Sequence, residues 1–172
     1  MRMRGQQVTL RSPTPADTDR LTSILAEPEV ARWWPGFDRE RVVAELINER
    51  ADEQPFVIEH EGFVVGYIQV YEEPEADFRH AAIDLFLMSA AQGRGLGPDA
   101  IRTLATDLID RCGHHRLTMD PVSENTRAIA AYAKVGFRPV GVLRRYQRLA
   151  GGIWADALLM DLLAHELVRP DV

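Results

Sequence analysis

Between the apolar run Ala81 to Met88 and an amphipathic stretch opening at Pro98 lies Gln92-Gly93-Arg94-Gly95-Leu96-Gly97. An apolar run of that length, broken only by Asp84, reads as a central strand covered on both faces. After the turn, Ile101, Leu104, Ala105, Leu108, Ile109 and Cys112 recur at i, i+3, i+4, i+7, i+8 and i+11, which is one stripe of a helix. Pro98 suits its first position, and Arg111 and Gly113 its end. Three glycines let the backbone aim several amides at one point, where the helix adds the positive end of its dipole. The segment is therefore an anion site of a size that suits a pyrophosphate, set against the plainer reading of a glycine turn made for steric reasons alone. It is not a nucleoside-triphosphate loop, because no Gly-Lys-Ser or Gly-Lys-Thr ends it. Its glycine spacing, and a strand so late in the chain, do not fit a dinucleotide fingerprint. Arg116 to Asp120 follows as a strand, and the strand-helix-strand unit over 81 to 120 is expected to be parallel and right-handed.

The remaining pattern is mixed. Val8 to Arg11 reads as a short strand, Pro15 to Glu27 as a helix burying Leu21, Ile24 and Leu25, and Asp38 to Ala51 as a second helix with Val42, Leu46 and Ile47 on one face. Phe56 to Glu59 and Val64 to Tyr71 form a hairpin around Glu61-Gly62. Ser123 is placed to cap a helix running to Val135, stopped by Lys134 and Gly136. Strands over Val140 to Gln147 and Trp154 to Leu162 close the chain around Gly151-Gly152. The order is β-α-α-β-β-β-α-β-α-β-β, an α/β (α+β) arrangement with one mixed central sheet of about six to seven strands and helices on both faces. With 172 residues, no repeat and no Pro/Gly-rich linker, residues 1–172 read as a single domain.

A net charge of -6 and the lack of any basic run argue against nucleic acid as the main partner and mildly favour a cationic one. No segment is long and apolar enough to span a membrane, and Met1-Arg2-Met3-Arg4 is followed by polar residues, unlike a signal peptide. The lone Cys112 allows no internal disulfide and fits a reducing, cytoplasmic setting. It falls on an apolar helix face and reads as core. His60, His80, His114, His115 and His165 show no ligand spacing, so no metal is expected.

Two carboxylates stand out. Asp84 interrupts the most apolar strand, where a charge without a partner is costly, and Asp120 ends the next strand before Pro121. Their plainer readings are a buried partner for an arginine and a turn cap. Tyr67, Gln69 and Tyr71 alternate onto one face of their strand, with Val64, Ile68 and Val70 on the other, so the polar-aromatic set is suited to lining a cleft. Trp33 and Trp34, at a break between helices, are candidates for its wall; adjacent tryptophans diverge, so one is expected to be packing. The acidic stretch Glu72 to Asp77 reads as a solvated loop that adds a negative field. Asn125 and Tyr132, at i and i+7, share a helix face.

The glycine turn, read as Q-x-x-G-x-G, is followed by Asn125-Thr126-Arg127-Ala128-Ile129-Ala130-Ala131-Tyr132-Ala133-Lys134-Val135-Gly136-Phe137, and the pair resembles the GNAT superfamily of acetyltransferases. The resemblance implies a GNAT fold and acetyl-CoA as co-substrate. It places the pyrophosphate on the loop Gln92, Gly93, Arg94, Gly95, Leu96, Gly97 and Pro98, and the pantetheine along the main chain of Phe86, Leu87 and Met88 and on Asn125. An amide near Leu87 would then polarise the thioester, and Tyr132 would stand at the sulfur as general acid. The stretches around Trp33-Trp34, Gly66 to Tyr71, Ala82 to Leu85 and Met119 to Pro121 are similar to the aminoglycoside 6'-N-acetyltransferases. That narrower resemblance implies a small polyamine or aminoglycoside acceptor whose amines bind Asp84 and Asp120, with Asp120 as proton acceptor and Asp156 as a further contact. The chain departs from that family in a short connection between its third and fourth strands, without the tryptophans often found there. The same catalytic parts would serve an acetyltransferase of hydroxylysine-type siderophore precursors or of protein N-termini. A non-catalytic acyl-CoA sensor would keep the donor half alone. The chain is expected to act as a monomer or homodimer.

Overall fold

Residues 1–48, 51 and 53–170 are described by the structure, a computed structural model. One eight-stranded sheet runs through it in the order β1-β2-β3-β4-β5-β6-β8-β7. The strands are β1 (Arg2–Arg4), β2 (Thr9–Arg11), β3 (Glu53–His60), β4 (Phe63–Glu72), β5 (Ala81–Leu87), β6 (Arg116–Met119), β7 (Arg138–Arg148) and β8 (Trp154–Leu163). All neighbours are antiparallel except β5 and β6, the parallel pair the sequence predicts.

The sheet exceeds the expected six to seven strands because β1 folds back on β2, with the Gly5 amide donating to the Val8 carbonyl at 2.8 Å. Arg2–Arg4 has a single apolar residue between two arginines, too little alternation to read as a strand. This hairpin is tied to the rest by Asp99, whose buried carboxylate accepts from the Gln6, Gln7 and Val8 amides at 3.2, 2.8 and 3.0 Å.

Helix α1 (Thr18–Leu25) follows a 3-10 turn at Pro15–Asp17, and α2 (Pro28–Ala31) starts afresh at Pro28, whose ring suits a first turn. The second predicted helix is α3 (Arg39–Val42), capped by Asp38 on the Arg41 amide at 2.8 Å and continued by a wide turn over Val43–Ile47. Extended Asn48 ends it; residues 49 and 50 of the predicted helix lie outside the described residues, and Ala51 is in a turn.

Helix α4 (Leu96–Asp110) begins two residues earlier than expected, putting Pro98 third in the helix, where its missing N–H is still one of the orphans of the first turn. Helix α5 (Thr126–Ala133) is capped by Asn125 rather than Ser123: the Asn125 Oδ1 accepts from the Ala128 amide at 3.2 Å. Both residue types cap well, so composition could not choose between them.

Apolar side chains fill both faces. On one, Leu96, Ile101, Leu104 and Leu108 of α4 pack with Leu10, Ile58, Ile68, Val70, Ile83 and Leu117. On the other, Leu21, Ile24, Val30, Val42 and Leu46 pack with Val57, Tyr67 and Phe86. Val64 joins the second group, against the alternation expected of β4. The β3–β4 register slips between Ile58 and Glu59, leaving Val65 as the extra residue, and a bulge reverses the parity of what precedes it. Cys112 lies just past α4, half-buried against the first core.

Candidate active site

The β5–β6 pairing is only two residues long: Ala81 opposes Leu117 and Ala82 opposes Thr118. Beyond it β5 stays on β4, through Leu87 opposite Gly66, while β6 follows β8. Continued in register, the pair would set Asp84 beside Asp120, with Pro121 next. Like charges face to face and a residue without an N–H both act against further pairing. The strands part at the point where the two carboxylates begin, and α5 brings Tyr132 over the gap.

Two cavities open from this point. The first, of about 640 Å³, runs past Leu85, Phe86 and Leu87 to Gln92, Gly93, Gly95, Gly97 and Pro98. The second, of about 630 Å³, holds Gln69, Tyr71, Asp84 and Asp120. Trp33, Trp34, Leu85, Asn125 and Tyr132 line both, so Tyr132 stands at their junction.

At the end of the first cavity, Gly93 and Gly95 take φ of 74° and 82°, conformations that cost other residues about 1 kcal/mol or more. Gly95 is the N-cap of α4, so its neighbours' amides and the helix dipole face the same space. Along the cavity wall, the Met88 amide donates to the Val65 carbonyl at 2.8 Å. Successive residues of a strand offer their amides to opposite edges, which leaves Leu87 facing the gap between β5 and β6. The Leu87 carbonyl accepts from the Gln92 side chain at 3.0 Å, which ties the glycine turn to the strand.

The contacts expected of Leu96, Arg94 and Met88 are main-chain ones, and their side chains turn elsewhere: Leu96 into the core, Arg94 out toward His60 at 3.4 Å, and Met88 onto Arg20, whose Nη2 lies 3.2 Å from its sulfur. Arg127, which sequence reasoning missed, lines the cavity beside Gly93 and pairs loosely with Glu29 at 3.9 Å.

In the second cavity Asp84 is open to water by surface area yet sits on a concave floor. No lysine or arginine among the described residues pairs with it, so the plainer reading as an arginine's buried partner is not met. Burial, then the charge of Asp120, push its carboxyl up to about 7. Tyr132 is buried, and burial, then the charge of Asp84, then that of Asp120, push its phenol far above the ordinary value. It keeps its proton at any working pH.

Gln69 opposes Asp84 across the β4–β5 ladder and accepts from the Tyr67 hydroxyl at 3.0 Å. Tyr67 itself does not reach the cavity; it is buried, stacked on Phe86 with ring centroids 5.6 Å apart. Trp34 is the packing member of its pair, edge-on to Phe86 at 5.0 Å, while the Trp33 ring lies under the Arg32 guanidinium at 4.5 Å. Asp156 lies outside both cavities, its carboxylate accepting from the Arg145 amide at 2.7 Å. Glu72, in the acidic stretch, instead meets the buried His114 at 2.6 Å.

Sequence reasoning also missed Tyr146, Arg148 and Trp154, which line the second cavity from β7 and β8. The Tyr146 hydroxyl donates to Asp120 Oδ2 at 2.8 Å; burial, then this hydrogen bond, push its phenol up to about 12. Among the described residues no three His, Cys, Asp or Glu side chains gather in a way that would hold a metal ion, and no helix is long and apolar enough to cross a membrane.

A mixed sheet splayed at its parallel pair, with a glycine turn at one end of the splay and a phenol over its centre, is the GNAT acetyltransferase fold. The chain belongs to that family: the acetyltransferase (GNAT) domain profile matches residues 7–138. It is 29% identical over 156 residues to aminoglycoside N(6')-acetyltransferase type 1 of Klebsiella pneumoniae, covering 81% of this chain and 78% of that one. To the N-alpha-acetyltransferase RimI of Mycobacterium tuberculosis it is 29% identical over 157 residues, covering 90% and 92%. Mycobacterium smegmatis RimJ, solved in complex with CoA-disulfide, superposes with a TM-score of 0.82 at 27% identity, covering 98% of this chain and 88% of RimJ.

Proposed function

We propose that this protein moves the acetyl group of acetyl-CoA directly to a primary amine of a small polycationic acceptor, with the 6'-amine of an aminoglycoside as the first candidate. The observation that carries the reading is the pair Asp84 and Asp120 on the floor of one cavity, at its junction with the other under Tyr132. In this reading the diphosphate of CoA docks on the amides of the Gln92 to Pro98 turn, and the pantetheine follows Phe86 to Met88 and Asn125. The thioester lies under Tyr132, with its carbonyl on the Leu87 amide.

The acceptor's ammonium binds between the two carboxylates, and Asp120 takes its proton. The freed lone pair attacks the carbonyl carbon, the carbon-sulfur bond breaks, and the thiolate takes the Tyr132 proton; the second proton that the acylated nitrogen must lose restores the Tyr132 phenol, leaving the amide, the CoA thiol and a protonated Asp120. The shift that holds that proton is no obstacle. Burial penalises the thiolate in the same cleft as it does the phenolate, and a bound ammonium offsets the charges of Asp84 and Asp120. Residues 1–172 act here as one domain in the cytoplasm, alone or as a homodimer.

Similarity to an aminoglycoside acetyltransferase supports the acceptor class, and similarity to an N-alpha-acetyltransferase supports a second reading in which the acceptor is a peptide N-terminus. Arg148, at the second cavity without a carboxylate partner among the described residues, favours an acceptor that bears an anion beside its amine. Purified protein given acetyl-CoA with kanamycin, with a lysine derivative or with a ribosomal N-terminal peptide separates the two by free thiol release. Release with kanamycin is expected; release with the peptide alone moves the acceptor to the second reading, and CoA binding without release under any acceptor ends the catalytic one.

A further inference from the structure

β7 is an edge strand whose residues are exposed almost throughout, and the Tyr146 ring is half open to solvent. Burial does little to hold such a side chain, so its hydrogen bond to Asp120 needs another cause. The backbone supplies it. Leu143 opposes Ala157 and Gln147 opposes Ala155, so β7 spends two extra residues across two steps of β8, and Arg145 within the bulge takes φ of 49°. Asp156 holds the bulge from one side through the Arg145 amide, and the Gln147 side chain holds it from the other, donating to the Trp33 carbonyl at 2.8 Å. A left-handed residue pinned on both sides, beside a reactive cleft, is strain kept for a purpose.

We propose that Tyr146 is a positioning residue for the transfer: by donating to Oδ2 its hydroxyl fixes the Asp120 carboxylate and leaves Oδ1 as the oxygen offered to the acceptor's ammonium. What the carboxylate does rests on the acetyl-transfer reading; how it is held rests on the hydrogen bond. Asp120 follows the last residue of β6, where a carboxylate swings freely about its terminal torsion. Fixing it matters because a displacement of about 1 Å in a reacting group costs on the order of 10²-fold in rate. It also keeps the Asp120 charge against Asp84. The other groups facing Asp84 are Tyr132 from α5, Glu53 from β3, Arg148 from β7, and the pair of Arg41 with Glu45 at 2.9 Å. Among the described residues Tyr146 is the side chain seen bonded to Asp120, so loss of its hydroxyl acts first on the carboxylate pair.

Tyr146→Phe deletes the hydroxyl, keeps the ring and touches no buried contact. Two readings are taken on it: thiol release with kanamycin over a pH series, and the titration of Asp84 followed by its carboxyl carbon-13 resonance in the protein without ligands. The expected result is a roughly 10- to 100-fold fall in kcat/KM for the amine with KM for acetyl-CoA unchanged, and a midpoint for Asp84 moved down from about 7. A role in folding alone would leave both pH-dependent readings in place. In an active enzyme, unchanged kcat/KM for the amine overturns the proposal whatever the resonance does. If the wild-type protein releases no thiol with any amine, the acetyl-transfer reading falls by itself. The Asp84 resonance then decides whether Tyr146 governs the pair, and an unmoved midpoint overturns that too.

Discussion

The Asp84 carboxyl lies two residues past the last β5–β6 pair, where burial and the neighbouring Asp120 raise it to about 7 from an ordinary value near 3.8. Its folded value lies above its unfolded one, so the folded state holds a proton that the unfolded state has given up. Stability from this group is full below about pH 4 and is lost as pH rises toward 7. Binding a cation needs the opposite state, so activity should climb as pH rises through about 7. Asp84→Asn is therefore expected to abolish transfer while raising stability at pH 8 by on the order of 1 kcal/mol after solvent screening, roughly 2–4 °C in Tm. The gain should shrink at pH 5, and melting curves at the two pH values check it. Tyr132→Phe is expected to lower kcat by about 10²-fold or more and to leave CoA affinity, read by calorimetry, near wild type. Asp84 and Asp120 stood out in the sequence by their places in two strands, and Tyr132 by the helix face it shares with Asn125 and by the family resemblance; the β5–β6 register and α5 bring the three to one junction. Tyr146 did not stand out: its direction depends on a two-residue bulge held by Asp156 and Trp33, and no local pattern in β7 encodes those partners.

Between elements, the first turn of α4 does two things. Its amine end closes the glycine turn, and its Asp99 carboxylate accepts from three backbone amides of the β1–β2 hairpin. Asp99 is 3% exposed and among the described residues pairs with no cationic side chain, so those amides and the helix dipole compensate its charge. Asp99→Asn turns one acceptor oxygen into a donor facing donors. The expected cost is about 2–4 kcal/mol, with weaker CoA binding, because Gln7 of the same hairpin lies against Gly95. Chemical denaturation and CoA calorimetry on one sample check both; normal stability with weakened binding would show that the hairpin serves the turn only. The sequence announced α4 and its glycine turn because helical spacing and three glycines are local signals. It did not announce the hairpin, or the parity of Val64, because both are set by contacts made elsewhere: a carboxylate some ninety residues on and a bulge between paired strands. The α5 cap shows the same limit in miniature, since Ser123 and Asn125 both cap by type and only the chain's path chooses Asn125.

Over the molecule as a whole, the two cavities are of nearly equal size and share Trp33, Trp34, Leu85, Asn125 and Tyr132. None of those shared residues is a cysteine, serine or lysine, and Lys134 lines the first cavity alone; Cys112 lies past α4 in the first core, its thiol pushed up by burial. In the proposed transfer the acetyl group passes straight from donor to acceptor, so both are present together. Two outcomes follow from direct transfer. Incubation with acetyl-CoA alone should add no 42-dalton acetyl increment to the protein mass beyond the order of background, and thiol release should start only when an amine is added. A conjugate joining CoA through an acetyl spacer to an acceptor amine should occupy both cavities at once and raise Tm more than CoA and the amine added separately, because the linkage makes the second contact intramolecular. The tether's advantage depends on the cavities meeting under Tyr132. A conjugate that stabilises no more than CoA alone would mean that the amine enters by another route, and the carboxylate pair would then have to be read as part of the fold and not of the transfer.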